Sequence, residues 1–97
     1  MRHTFGTTEA REIGRMLGID FSHVSIEQFR IGLSVELEHG LSDPDTNITY
    51  DDEYLTGKIA WAHLKEIPDY YRRLAVMERA AYRERRLKPK LTLADEP

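Results

Sequence analysis

The chain contains no cysteine, which excludes disulfides, thiolate-ligated metal centres and a cysteine nucleophile. It also lacks any apolar run near the ~20 residues needed to cross a bilayer. Met1 to Gly6 carries no apolar stretch of the secretory type, so a cytoplasmic location and no membrane partner are the expectation. No glycine-rich phosphate loop and no nucleophile elbow are present. Ser22 beside His23, and Ser34 near Glu36, stand outside any triad context. The reading therefore leans away from an enzyme, with a metal-assisted hydrolase as the one catalytic route left open. Internal repeats, low-complexity tracts and strand-like alternation are missing as well.

What is present is charge and helical periodicity. The 97 residues are 40% hydrophobic and 32% charged, ordinary for one globular domain. A net charge of -3 hides an uneven distribution. Residues 1–68 carry 6 basic and 12 acidic side chains, whereas residues 69–90 carry 8 basic and 3 acidic. Such a basic segment suits the C-terminal end of a helix and its solvated outer face, or an acidic partner or nucleic acid.

Apolar spacing predicts four helices. The first runs from about Thr8 to Leu17, capped by Thr7 or Thr8 and stopped at Gly18. The second follows Ser25, which forms a capping box with Gln28; it carries Ile26, Phe29, Leu33 and Leu37, with Gly40 as its stop. A polar connection from Leu41 to Tyr50 leads to Thr49 as the N-cap of the third helix. That helix places Leu55, Ile59, Ala62, His63 and Glu66 on one face, widened by Ala60, Leu64 and Ile67. Pro68 bends the chain and suits the first turn of a fourth helix, Pro68 to about Arg86, burying Tyr71, Leu74, Ala75, Met77 or Glu78, Ala81 and Tyr82. The expected architecture is an all-α bundle of about four short helices with a corner at Pro68. Residues 1–86 form the single domain and 87–97 an extended tail.

Two helical steps carry chemistry. Glu36-x-x-His39 and His63-x-x-Glu66 each place a histidine and a carboxylate on one helix face, the geometry of metal ligands in bundles. With Glu78 they offer a partial set for zinc, iron or manganese. In a simple antiparallel hairpin, however, His63 stands eleven residues past Asp52, ~16 Å further along than Glu36 and His39. Helix arithmetic therefore groups Glu36 and His39 with Glu78, and His63 with Asp69, Tyr70 or Tyr71. The alternative is a buried polar network, with His bonded to Tyr or carboxylate. Asp43-x-Asp45-x-Asn47 opens like a calcium loop, but Ile48 and Tyr54 stand where glycine and glutamate are required. Turn formation and capping explain that segment.

The stretch His63-Leu64-Lys65-Glu66-Ile67-Pro68-Asp69-Tyr70-Tyr71, with Glu38-His39-Gly40 and Gly57-Lys58-Ile59-Ala60 ahead of it and Leu74 and Met77-Glu78 after, resembles a family of small uncharacterised helical proteins of bacteria and tailed phages. The resemblance covers about Ser25 to Ala80. It implies a compact all-α domain of unknown function, directs attention to His39, His63, Glu66, Asp69 and Tyr70, and carries no activity across. The reading that results is a non-enzymatic helical interaction or structural module, part of a larger and phage-related assembly, cytoplasmic or virion-associated. Its contact surface comprises Asp69, Tyr70, Tyr71, Arg72, Arg73, Arg79 and Arg83, engaging a protein partner or a second copy. Metal binding through Glu36, His39, His63, Glu66 and Glu78 is the alternative. Nucleic-acid binding through the basic fourth helix is the third.

Overall fold

A computed structural model describes residues 4–87, with side chains through Arg85. It contains α1 (Thr7–Leu17), α2 (Ile26–Ser42), α3 (Glu53–Glu66) and α4 (Tyr70–Leu87). There is no strand among the described residues, and the all-α bundle expected from periodicity is the fold. The expected tail lies outside the described residues, apart from Leu87, which ends α4.

Local chemistry sets the helix ends, in places through residues other than those expected. α1 starts one residue earlier, at Thr7, with Gly6 as its N-cap and the Glu9 carboxylate accepting from the Gly6 N–H at 2.9 Å. It stops where glycine predicts. Gly18 adopts φ 80°, and the Ile19 N–H reaches back to the Gly14 carbonyl at 2.9 Å, a left-handed cap that glycine enters without strain. Ser25 caps α2 by accepting from the Gln28 N–H at 3.1 Å. Asp52, rather than Thr49, caps α3 by accepting from the Leu55 N–H at 2.9 Å. Asp52 wins because Thr49 is turned inward and buried.

The core joins Phe5, Ala10 and Ile13 to Phe29, Leu33 and Leu37 of α2, and to Ala60, Leu64 and Tyr71. On α3 the buried stripe is Thr56, Gly57, Ala60 and Leu64. It is rotated from the expected face, leaving Leu55, Ala62, Glu66 and Ile67 exposed. The reason is close approach. A Cβ on Gly57 would stand 2.8 Å from Leu17 Cδ1 and 3.0 Å from Ile13 Cγ2, so the small residues of α3 are where α1 fits against it.

Gly40 departs from expectation in the same way. It does not end α2, which continues to Ser42. A Cβ there would stand 2.8 Å from Thr49 Oγ1 and 3.0 Å from Asn47 Oδ1, so Gly40 is the bed on which the α2–α3 connection lies. That connection includes Tyr50 and Asp51 at φ 48° and 74°, two consecutive left-handed non-glycine residues whose strain the surrounding packing must outweigh.

α4 packs by its first turns alone. Tyr71 is buried and Leu74 and Ala75 are half-buried, whereas every residue from Val76 to Arg85 is exposed. The expected burial of Met77 or Glu78, Ala81 and Tyr82 does not occur. The outer part of α4 stands away from the three-helix body, and the molecule measures 47 × 26 × 22 Å.

Candidate functional site

The chemistry-bearing residues converge where α4 meets α2 and α3. Tyr71 crosses α2 at Gly32, where a Cβ would stand 2.8 Å from the ring's Cζ. Glycine at this position lets the aromatic ring lie on the backbone. The phenol then reaches one turn along α2 and donates to Glu36 Oε2 at 2.8 Å. His63 of α3 brings Nε2 to 3.6 Å from the same oxygen. Tyr70 stacks on the His63 imidazole with centroids 4.2 Å apart and planes 3° from parallel. Tyr71 meets both rings edge-on, at 6.1 Å and 4.9 Å. One carboxylate, one imidazole and two phenols thus tie three helices together.

Helix arithmetic separates Glu36 from His63; the structure joins them. Ile59 borders the same cavity as His39 and Gly40, which places His63, one turn further on, level with Glu36. α3 therefore begins about six residues, ~9 Å, beyond the level of His39 and Gly40. The ten-residue connection supplies this overshoot before α3 turns back. The other half of the expectation holds, with His63 beside Tyr70 and Tyr71.

Burial pushes Tyr71 far above the ordinary phenol range, and its hydrogen bond to Glu36 and the negative charge there act in the same direction. The group is a permanent O–H donor across the ordinary pH range. At the corner itself the Asp69 carboxylate pairs with the Arg72 guanidinium and with Arg73 Nε at 2.7 Å. The hydrogen bonds from Arg73 and Arg72, in that order, hold Asp69 below the usual carboxylate range. Gln28 supplies the N-terminal cap of α4, its Oε1 accepting from the Tyr71 N–H at 3.0 Å and the Arg72 N–H at 3.3 Å. Sequence spacing pairs Gln28 with Ser25 in a capping box at its own helix, and there its N–H donates to Ser25 Oγ. No local pattern announces that it caps a helix 43 residues away.

The remaining candidates are dispersed. His39 is exposed and lines a cavity of about 180 Å³ with Glu36, Gly40, Thr46, Ile48, Thr49 and Ile59. Glu66 and Glu78 are exposed on α3 and α4. Among the described residues, no three His, Asp or Glu side chains are grouped to hold a metal ion, so a Glu36–His39–Glu78 cluster does not form. Glu36 and His63 are the two candidate donors brought together, and the Tyr71 hydroxyl already occupies their shared oxygen. Of the expected contact surface, Tyr71 belongs to the core, Arg72 and Arg73 are paired with Asp69, and Arg79 and Arg83 are exposed. In the connection, Asp43 Oδ1 accepts from the Asp45 N–H and Asn47 Oδ1 from the Tyr50 N–H, both at 2.9 Å. These are turn-forming bonds. No helix among the described residues is long and apolar enough to cross a membrane.

No curated protein and no solved structure matches the chain. A family model matches residues 10–80, a span that takes in most of α1, all of α2 and α3, the Glu36–His63–Tyr70–Tyr71 network and α4 as far as Ala80. By that match the chain belongs to the family described as Protein of unknown function (DUF5661).

Proposed function

We propose that this protein is a non-enzymatic helical docking module whose outer α4 engages a protein partner within a larger assembly. The carrying observation is that α4 is anchored at one end and uncovered at the other. Its first turns are locked by Gln28, Tyr71 and Asp69. Beyond them Val76, Met77 and Tyr82 stand 50%, 59% and 56% exposed. A helix fixed at its base and bare along its length leaves an exposed apolar face for a partner to cover. In this reading the Glu36–His63–Tyr70–Tyr71 network is structural, fixing the angle at which α4 leaves the body. The resemblance to chains of bacteria and tailed phages supports a cytoplasmic or virion-associated role.

Photo-cross-linking in the producing cell tests the proposal. A benzoyl-phenylalanine at position 82 captures protein adducts, whereas the same group at the exposed Arg11 of α1 captures few. Equal yields at the two positions would overturn it.

A further inference from the structure

The exposed large hydrophobic side chains are unevenly placed. Val76, Met77 and Tyr82 lie on outer α4. Ile48, Tyr50, Tyr54 and Leu55 lie on the α2–α3 connection and the first turn of α3. Only Met16 and Ile67 fall elsewhere among the described residues. The two regions are also opposite in charge. Residues 43–53 hold Asp43, Asp45, Asp51, Asp52 and Glu53 without a basic residue, and all five are exposed. Outer α4 holds Arg79, Arg83, Arg85 and Arg86 against Glu78 and Glu84. Arg72, Arg79 and Arg83 recur at seven and four residues, which puts them on one helical face.

From this we infer that the partner of outer α4 is the acidic, apolar-studded α2–α3 connection of a second copy of the chain, the two copies exchanging the contact reciprocally. This rests on the docking reading above and names the partner. Both surfaces mix exposed apolar groups with charge, and the charges are complementary, so association removes apolar area from water while pairing Arg with carboxylate. Within one copy the contact is not made, because α4 leaves the body uncovered. Pairing α4 with α4 would set arginine against arginine. Nucleic acid would meet a chain of net charge -3 whose acidic connection repels phosphate. A single one-way contact leaves both surfaces open for further copies, whereas reciprocal exchange closes into a two-fold dimer and doubles the buried area.

The test is light scattering on the full chain with two charge reversals, Arg79→Glu/Arg83→Glu on α4 and Asp45→Lys/Glu53→Lys on the connection. Circular dichroism first establishes that both variants keep native helix content; if either does not, the single changes Arg83→Glu and Asp45→Lys replace it. Wild type is expected at the mass of two 11.3 kDa chains in low salt. It moves towards one chain near 1 M salt, where the screening length falls to about 3 Å. Each variant alone runs as one chain, and their equimolar mixture recovers the double mass. A wild type that is monomeric at every concentration overturns self-association. So do variants that still dimerise, or a mixture that stays monomeric. Cross-links from position 82 to a different protein, or binding of a duplex oligonucleotide to monomeric wild type, would also overturn self-association. The first of these leaves the docking reading standing, while the absence of any preferential cross-link at position 82 removes both.

Discussion

Two single positions, Gly32 and Tyr71 itself, govern how the Tyr71 ring seats on α2. Gly32 is the more restrictive. Gly32→Ala forces a Cβ onto a ring that is buried and held at its far end by Glu36, so the ring has little room to give. Overpacking costs about 1–3 kcal/mol, more than the ~1 kcal/mol that alanine gains over glycine in a helix. Urea denaturation is expected to show a net loss of stability. The Tyr71 hydroxyl contributes through a buried bond to a charged acceptor, of a kind worth about 1.5–3 kcal/mol, and Tyr71→Phe should lower stability on that order. Its pH signature is separable. The folded phenol is raised above its unfolded value of 10.0, so its contribution is fully present below pH 10 and is lost as pH rises beyond it. Each pH unit above that point removes about 1.4 kcal/mol. Ultraviolet titration of the five tyrosines should show one phenol that resists ionisation until the chain unfolds. Tyr71→Phe should remove that phenol and flatten the alkaline loss of stability.

At the scale of elements, the junction between α2 and α4 is held mainly by Gln28 and Tyr71. Gln28→Ala leaves two N–H groups at the start of α4 without their acceptor, and losing a helix cap costs about 0.5–2 kcal/mol. Hydrogen exchange is expected to accelerate at Tyr71 and Arg72 while the central amides of α2 and α3 keep their protection. Uniform acceleration would instead place Gln28 in the global core. Glycine has two uses among these elements that its sequence context does not distinguish. Gly18 ends α1 as a left-handed cap, whereas Gly40 stays helical and accommodates the connection. Both stand near the end of an apolar stripe. The difference is whether another segment presses on the position, which local periodicity does not encode. The rotation of the α3 stripe onto Thr56, Gly57 and Ala60 has the same origin, since what those residues lack in side-chain area they return in close helix contact.

For the whole molecule, the consequence is a body of three helices with a fourth that leaves it. Outer α4 has few buried contacts, and no Glu or Asp stands four residues before an Arg there to brace it. Amides from Val76 to Arg85 should therefore exchange faster than those of α2 and α3 at concentrations where the chain is monomeric. They should gain protection on association. If they are as protected in the monomer as Leu33, outer α4 is covered by something other than a partner.

The sequence by itself determined the all-α class, the four helices, the break at Pro68, the stop at Gly18 and the uneven charge, because helix periodicity, proline and caps act over one or two turns. It also pointed to His63 beside Tyr70 and Tyr71, which lie only a few residues across the bend. Tertiary structure alone decided that Glu36 meets His63, that Gln28 caps α4 and that α4 departs from the body. Each depends on how far one helix is offset along another. That offset is set by where Gly32, Gly40 and Gly57 allow backbones and rings to approach, a property of surfaces in contact that no single helix carries.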